Sequence, residues 1–75
     1  MKVKQIASNM TELHTDDVVI LFSYETPVAA CVLGEGFKRT STRYSQTTTR
    51  HINKWLDGVV AQEVPQSEID GLVSL

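Results

Sequence analysis

The run Tyr44-Ser45-Gln46-Thr47-Thr48-Thr49-Arg50-His51-Ile52-Asn53-Lys54-Trp55 holds much of what this chain could use for chemistry. Three consecutive threonines make poor helix interior and good cap material, because their hydroxyls compete for backbone partners. A helix starting here presents unpaired N–H groups and a partial positive charge, which suit a phosphate or a carboxylate. Thr48 and Thr49 add neutral donors, and Arg50 adds a guanidinium fork for charge-assisted bonds. Arg39 and Arg43 arrive from the segment before, and His51 and Lys54 follow on the helix. The expected chemistry is therefore anion recognition at a strand–helix junction by Arg39, Arg43, Thr48, Thr49, Arg50, His51 and Lys54. The competing reading of the same residues is a well-capped helix with a polar outer face.

The charge pattern points the same way. From Gly36 to Leu56 stand Lys38, Arg39, Arg43, Arg50 and Lys54 with no acid among them, a local charge of +5. Outside that window lie Lys2, Lys4 and all nine acids, a charge of −7, so the formal net charge of −2 conceals two blocks. Such separation suggests an anion-facing surface or a self-complementary contact between copies. The isoelectric point of about 5.5 argues against a general nucleic-acid coat, because most of the surface would repel phosphate.

Other chemistries find little support, and no enzyme activity is expected. His14, Asp16 and Asp17 lack a spaced set of metal-ligating partners, so no metal site is expected. Cys31 sits in an apolar run and reads as a small core hydrophobe. No acid falls near His51 to orient it as a base. Gly34-Glu35-Gly36 has the wrong spacing for a phosphate loop, and its glutamate would repel an anion. No cofactor is implied. Trp55 reads as a core anchor rather than a stacking platform.

The elements that must position these residues follow from periodicity and punctuation. Val3–Ala7 and Met10–His14 flank Ser8-Asn9 and read as a hairpin. Val18–Tyr24 is β-branched and aromatic, a central strand with Val18, Ile20, Phe22 and Tyr24 on one face. Glu25-Thr26-Pro27 is a turn. Val28–Leu33 is a further strand, whose small Ala29, Ala30 and Cys31 invite a closely packed helix. Gly34-Glu35-Gly36 closes a hairpin to Phe37–Tyr44, a polar strand expected at the sheet edge. Thr47 is the expected N-cap of a helix over Thr48–Leu56, with Thr48, Ile52, Trp55 and Leu56 inward and Gly58 as its stop. Val59–Val64 is a short strand or an extended connector. After Pro65, Gln66–Val73 forms a second helix with Ile69, Leu72 and Val73 inward, and Ser67 with Asp70 as a capping pair.

Strands first and helices second make an α+β fold. The expectation is a small antiparallel sheet of about four or five strands with both C-terminal helices packed on one face. The whole chain, 1–75, reads as a single domain. A domain of this size buries about 60% of its unfolded surface, and its core yields about 3–5 kcal/mol. With one cysteine there is no internal disulfide to add to it, which favours a homo-oligomer. No apolar run approaches the ~20 residues of a membrane span, and the opening residues lack the apolar core of a signal peptide. No membrane association is expected, and the cytoplasm is the expected compartment.

The run Tyr44–Leu56, the segment Ile20-Leu21-Phe22-Ser23-Tyr24-Glu25-Thr26-Pro27-Val28-Ala29-Ala30 and the closing Val64-Pro65-Gln66 together resemble a family of short uncharacterised proteins encoded by tailed bacteriophages. The resemblance spans roughly residues 18–72. It implies a viral origin, a single small domain and a place in the host cell, and it carries no established activity.

Three functions are thus expected of this sequence. The first is a non-enzymatic accessory protein that binds an anion: a nucleotide, a nucleic-acid backbone or an acidic protein surface. The second is an interaction module that inhibits a host enzyme or defence system, with Asp16, Asp17, Glu25, Glu35, Asp57 and Glu63 presenting acidic charge. The third is a self-assembling structural protein whose basic window docks on the acidic remainder of a neighbour.

Overall fold

A computed structural model describes residues 2–73. Eight elements follow in order: β1 (Lys2–Ala7), β2 (Met10–His14), β3 (Val18–Ser23), β4 (Thr26–Val32), β5 (Gly36–Thr40), α1 (Gln46–Leu56), β6 (Gln62–Val64) and α2 (Gln66–Val73). They build an α+β fold around one six-stranded sheet of order β1-β2-β3-β4-β5-β6. The first five strands form an antiparallel meander. β6 then returns to lie parallel beside β5, with Lys38 opposite Gln62 and Thr40 opposite Val64. No helix among the described residues is long and apolar enough to cross a membrane.

The expectation of four or five strands falls short by the parallel pair. β6 is three residues long and gains its partner only across the α1 crossover. β5 is accordingly not an edge strand. It ends at Thr40, its Lys38 and Thr40 are buried, and the polar residues from Ser41 to Ser45 form a loop instead of its continuation.

Nor do the two helices share one face. Successive residues of a strand point to opposite sides of a sheet. Leu21 and Ala29 pack with Ile52 and Leu56 of α1. Their neighbours Ile20 and Ala30 pack in a second cluster with Leu72 and Val73 of α2. On β5, Arg39 reaches Asn53 of α1 while Lys38 reaches Glu68 of α2. The physical reason is that β3 and β4 are apolar on both sides, so one helix cannot take both faces out of water. Ala29 and Ala30 supply the close approach that small residues allow, one on each side.

A bulge in β4 refines the core. Leu21 pairs with Ala29 and Phe22 with Pro27, so Val28 is the extra residue. Val28 and Ala29 thereby both join the α1-side cluster. Pro27, which cannot donate to the ladder, sits at this irregularity rather than in the turn. The turn is Tyr24-Glu25, with Tyr24 at a left-handed φ of 58°. In the loop after β4, Gly34 and Gly36 take positive φ values of 85° and 93°, as a tight hairpin requires.

α2 covers the residues its spacing predicted, with Ile69 fully buried. Ser67 lies inside its first turn and does not cap it. The Glu68 N–H donates to the Pro65 carbonyl, and the Gln66 side-chain amide donates to Asp70 Oδ1 and to the Pro27 carbonyl.

Candidate functional site

The helix carrying the polar run starts earlier than its threonines suggest. Ser45, in extended backbone, is the N-cap, and its Oγ accepts the Thr48 N–H at 3.1 Å. Serine outranks threonine at this position, which is the signal that the choice of Thr47 overlooked. The first turn of α1 holds no acid, and the amides at positions 46 and 47 have no partner inside the helix. At the other end Asp57 takes a left-handed φ of 48°, its N–H donates to the Asn53 carbonyl, and Gly58 follows at φ 86°.

Where β5 ends and α1 begins, the loop folds against the helix and leaves two adjoining hollows. The first, about 320 Å³, is lined by Arg43, Tyr44, Ser45, Gln46, Thr49 and Arg50. The second, about 100 Å³, has Arg39, Arg43, Thr48 and Thr49 in its walls, together with Glu63 of β6. The first hollow contains no carboxylate in its lining, and the second contains one. Among the described residues neither Arg43 nor Arg50 is paired with an acid. The larger hollow is therefore where an anion meets the stronger field.

The seven expected site residues divide accordingly. Arg43, Thr49 and Arg50 line the larger hollow. Arg39 lies in the smaller one, where its Nη1 donates to Asn53 Oδ1 at 3.2 Å. Thr48 reaches the smaller hollow but is 5% exposed, and its hydroxyl lies 3.0 Å from Ser23 Oγ. His51 lines neither. Its Nδ1 is 2.8 Å from Ser23 Oγ, and its ring stands 5.9 Å from that of Tyr24. Lys54 is exposed in the last turn of α1, where a cation complements the helix C-terminus. Tyr44, Ser45 and Gln46 complete the larger hollow without having been singled out, as does Ser23 the network beneath it. Lys38 lends the site no net charge, because its Nζ donates to Glu35 and to Glu68 at 2.8 Å each. Those two bonds raise its pKa above the ordinary lysine value.

A second polar group ties α1 to the sheet at its far end. Trp55 Nε1–H donates to Glu12 Oε2 at 2.7 Å, and His14 Nε2 lies 2.8 Å from Glu12 Oε1. Trp55 also meets Phe37 edge to face at 5.7 Å. Burial pushes the Glu12 pKa up. The bonds from Trp55 and His14, with the charges of His14 and Lys4, outweigh it and hold the carboxyl below its ordinary 4.5. A depressed carboxylate stabilises the fold above its unfolded pKa and loses that contribution as pH falls through the folded value. The melting temperature should therefore fall below about pH 4.5, and fall less steeply in Glu12→Gln, whose amide oxygen still accepts from Trp55. Melting curves across the acid range check this; parallel pH profiles for the two proteins would remove Glu12 from the account.

No curated protein and no solved structure matches this chain. The sequence profile of one family matches residues 1–71, and that span contains every strand, the whole of α1 and the hollow at its start. The chain therefore belongs to a family of unknown function, DUF8033.

Proposed function

We propose that this protein is a non-enzymatic accessory protein that binds a phosphate-bearing anion in the larger hollow between β5 and α1. One observation carries the reading. The chain brings Arg43 and Arg50, neither held by a carboxylate among the described residues, to the start of a helix whose first turn has no acid. Guanidinium forks match the oxygens of a phosphate, and the helix start adds N–H donors along the same direction. The hollow is open enough to admit a nucleotide or one stretch of a nucleic-acid backbone, which present the same oxygens. Following the resemblance of residues 18–72, the protein acts as a viral accessory protein in the host cell.

The test is a titration with inorganic phosphate followed by calorimetry and by melting temperature. A ligand that binds only the folded state raises the melting temperature by mass action. A hydrogen bond to a charged group contributes about 1.5–3 kcal/mol, so Arg43→Ala with Arg50→Ala should weaken binding by about 100-fold or more. Both side chains are exposed, so the melting temperature without ligand should stay within about 2 °C. Unchanged binding in the double variant rejects the site.

A second reading, an interaction module for a host protein, is favoured by one feature. An apolar hollow of about 430 Å³ lies on the sheet beside α2, lined by Val3, Leu13, Phe22 and Tyr24 among others. Val3 and Tyr24 are exposed there. Partner capture through that hollow would survive the loss of both arginines, which separates the two readings.

A further inference from the structure

The larger hollow has more room than a phosphate needs. Its volume of about 320 Å³ reaches the range of about 300–1,000 Å³ in which proteins hold whole small molecules. A lone phosphate between Arg43 and Arg50 fills a small part of it. The rest of the lining therefore bears on what the phosphate is attached to. Ser45 and Thr49 already serve the helix start: Ser45 Oγ accepts the Thr48 N–H, and Thr49 Oγ1–H donates to the Ser45 carbonyl. The side chains of Arg43, Tyr44, Gln46 and Arg50 make no hydrogen bond, ion pair or ring contact among the described residues.

These four unengaged groups line one concave surface, and they are of three kinds. Arg43 and Arg50 are guanidinium forks, which bind phosphate oxygens. Tyr44 is a phenol ring, 46% exposed, whose face can take a flat π-system in offset stacking. Gln46 is a primary amide, which both donates and accepts. A sugar phosphate would use the arginines and leave the ring bare. An aryl phosphate, such as a phosphorylated tyrosine side chain, would use the arginines and the ring but has no polar edge for Gln46. A nucleotide supplies all three parts: a phosphate, a flat ring, and a base edge with donors and acceptors. A duplex does not suit the hollow, because its bases stack on one another out of reach of Tyr44. The acidic remainder of the chain also repels a long polyanion, whereas one nucleotide meets the local arginines.

We propose that the larger hollow binds a nucleotide unit, with its phosphate held by Arg43 and Arg50, its base stacked on Tyr44 and its base edge met by Gln46. The inference rests on the anion-binding reading and names the ligand class of that site. The same unit can arrive as a free nucleotide or within a single strand, since both present an unpaired base beside a phosphate.

Calorimetric titrations of the full chain with adenosine monophosphate, ribose-5-phosphate and phenyl phosphate test this, because all three carry a phosphate monoester. Adenosine monophosphate should bind roughly tenfold or more tightly than ribose-5-phosphate, the gain from one stacked base. Tyr44→Leu should bring the two to within about threefold without weakening ribose-5-phosphate, and Tyr44→Phe should keep the preference. Gln46→Ala should weaken adenosine monophosphate by about fivefold and leave phenyl phosphate unchanged. Equal affinity for adenosine monophosphate and ribose-5-phosphate would overturn the stacked base and leave the anion site standing. A preference that survives Tyr44→Leu would overturn the placement of the base in this hollow. Phenyl phosphate binding as tightly as adenosine monophosphate would overturn the nucleotide in favour of an aryl phosphate. Binding of none of the three would overturn the anion site, and this inference with it. Competition by a short oligodeoxyadenylate separates the two sources, and either result supports the proposal: displacement of adenosine monophosphate identifies a single strand, and retention identifies a free nucleotide.

Discussion

Leu21→Ala is expected to leave the protein largely unfolded at 25 °C. Leu21 is fully buried in the middle of β3, against Met10, Val28 and Ala29 of the sheet and Ile52 and Leu56 of α1. Truncating such a leucine costs about 2–5 kcal/mol, from lost transfer energy and from the cavity left behind. A core of this size supplies about 3–5 kcal/mol in all, so the two quantities are comparable and little stability remains. Urea titration followed by circular dichroism checks the outcome. A variant that keeps its native spectrum to about 2 M urea, with a normal transition slope, would mean that the monomer core is not the main support, and would direct attention to assembly.

Ile69→Ala is expected to be nearly as damaging, by a different route. Ile69 is the fully buried residue of α2, and α2 lies across β3, β4 and β5. A helix of eight residues does not hold itself in water without packing. Losing about 2–5 kcal/mol at its anchor should detach α2 and open Ile20, Ala30 and Val32 to solvent. The α1 side, with its own cluster, should respond less. Hydrogen exchange separates the two faces: amides of α2 should lose protection first, while those of α1 persist. Equal loss in both helices would show that the two clusters unfold as one unit.

The extent to which the sequence foretold this structure depends on how local each determinant is. The opening hairpin, the β3 run, the glycine turn and the bounds of α2 are set by residues that touch chain neighbours. Asn9 at φ 61° and Gly34 at φ 85° show the turn chemistry directly. The placement of α2 opposite α1 was hidden, although its cause was visible. Ile20 and Leu21, like Ala29 and Ala30, are apolar neighbours on opposite faces, which demands cover on both. β6 was legible only as an alternative, because its stability comes from β5 across the crossover. The end of β5 was misplaced because Ser41 to Tyr44 has strand-like composition, whereas the ladder to β6 ends near Thr40.

The site shows the same division. Arg43 and Arg50 were legible as positive charges without nearby acids, and their meeting at one hollow follows from the loop that joins their elements. Thr48 and His51 carry donors of the right type but turn toward Ser23, a contact between distant positions that no local pattern announces. Lys38 shows the converse case. Its charge looked available in the basic window, and Glu68 on the opposite helix takes it.

The meander of five neighbouring strands also bears on the order in which the molecule assembles. Every pairing from β1 to β5 closes a short stretch of chain, so these contacts cost little loop entropy and favour fast folding. The parallel β5–β6 ladder spans the whole crossover and closes the longest loop in the sheet. The larger hollow at the start of α1 takes its whole lining from the short stretch between Arg43 and Arg50, so it is built from local chain and not from that ladder. The last contact to form in the sheet and the hollow beside Arg43 and Arg50 are therefore separate events, and a chain still lacking its β6 ladder already carries the local stretch that lines the hollow.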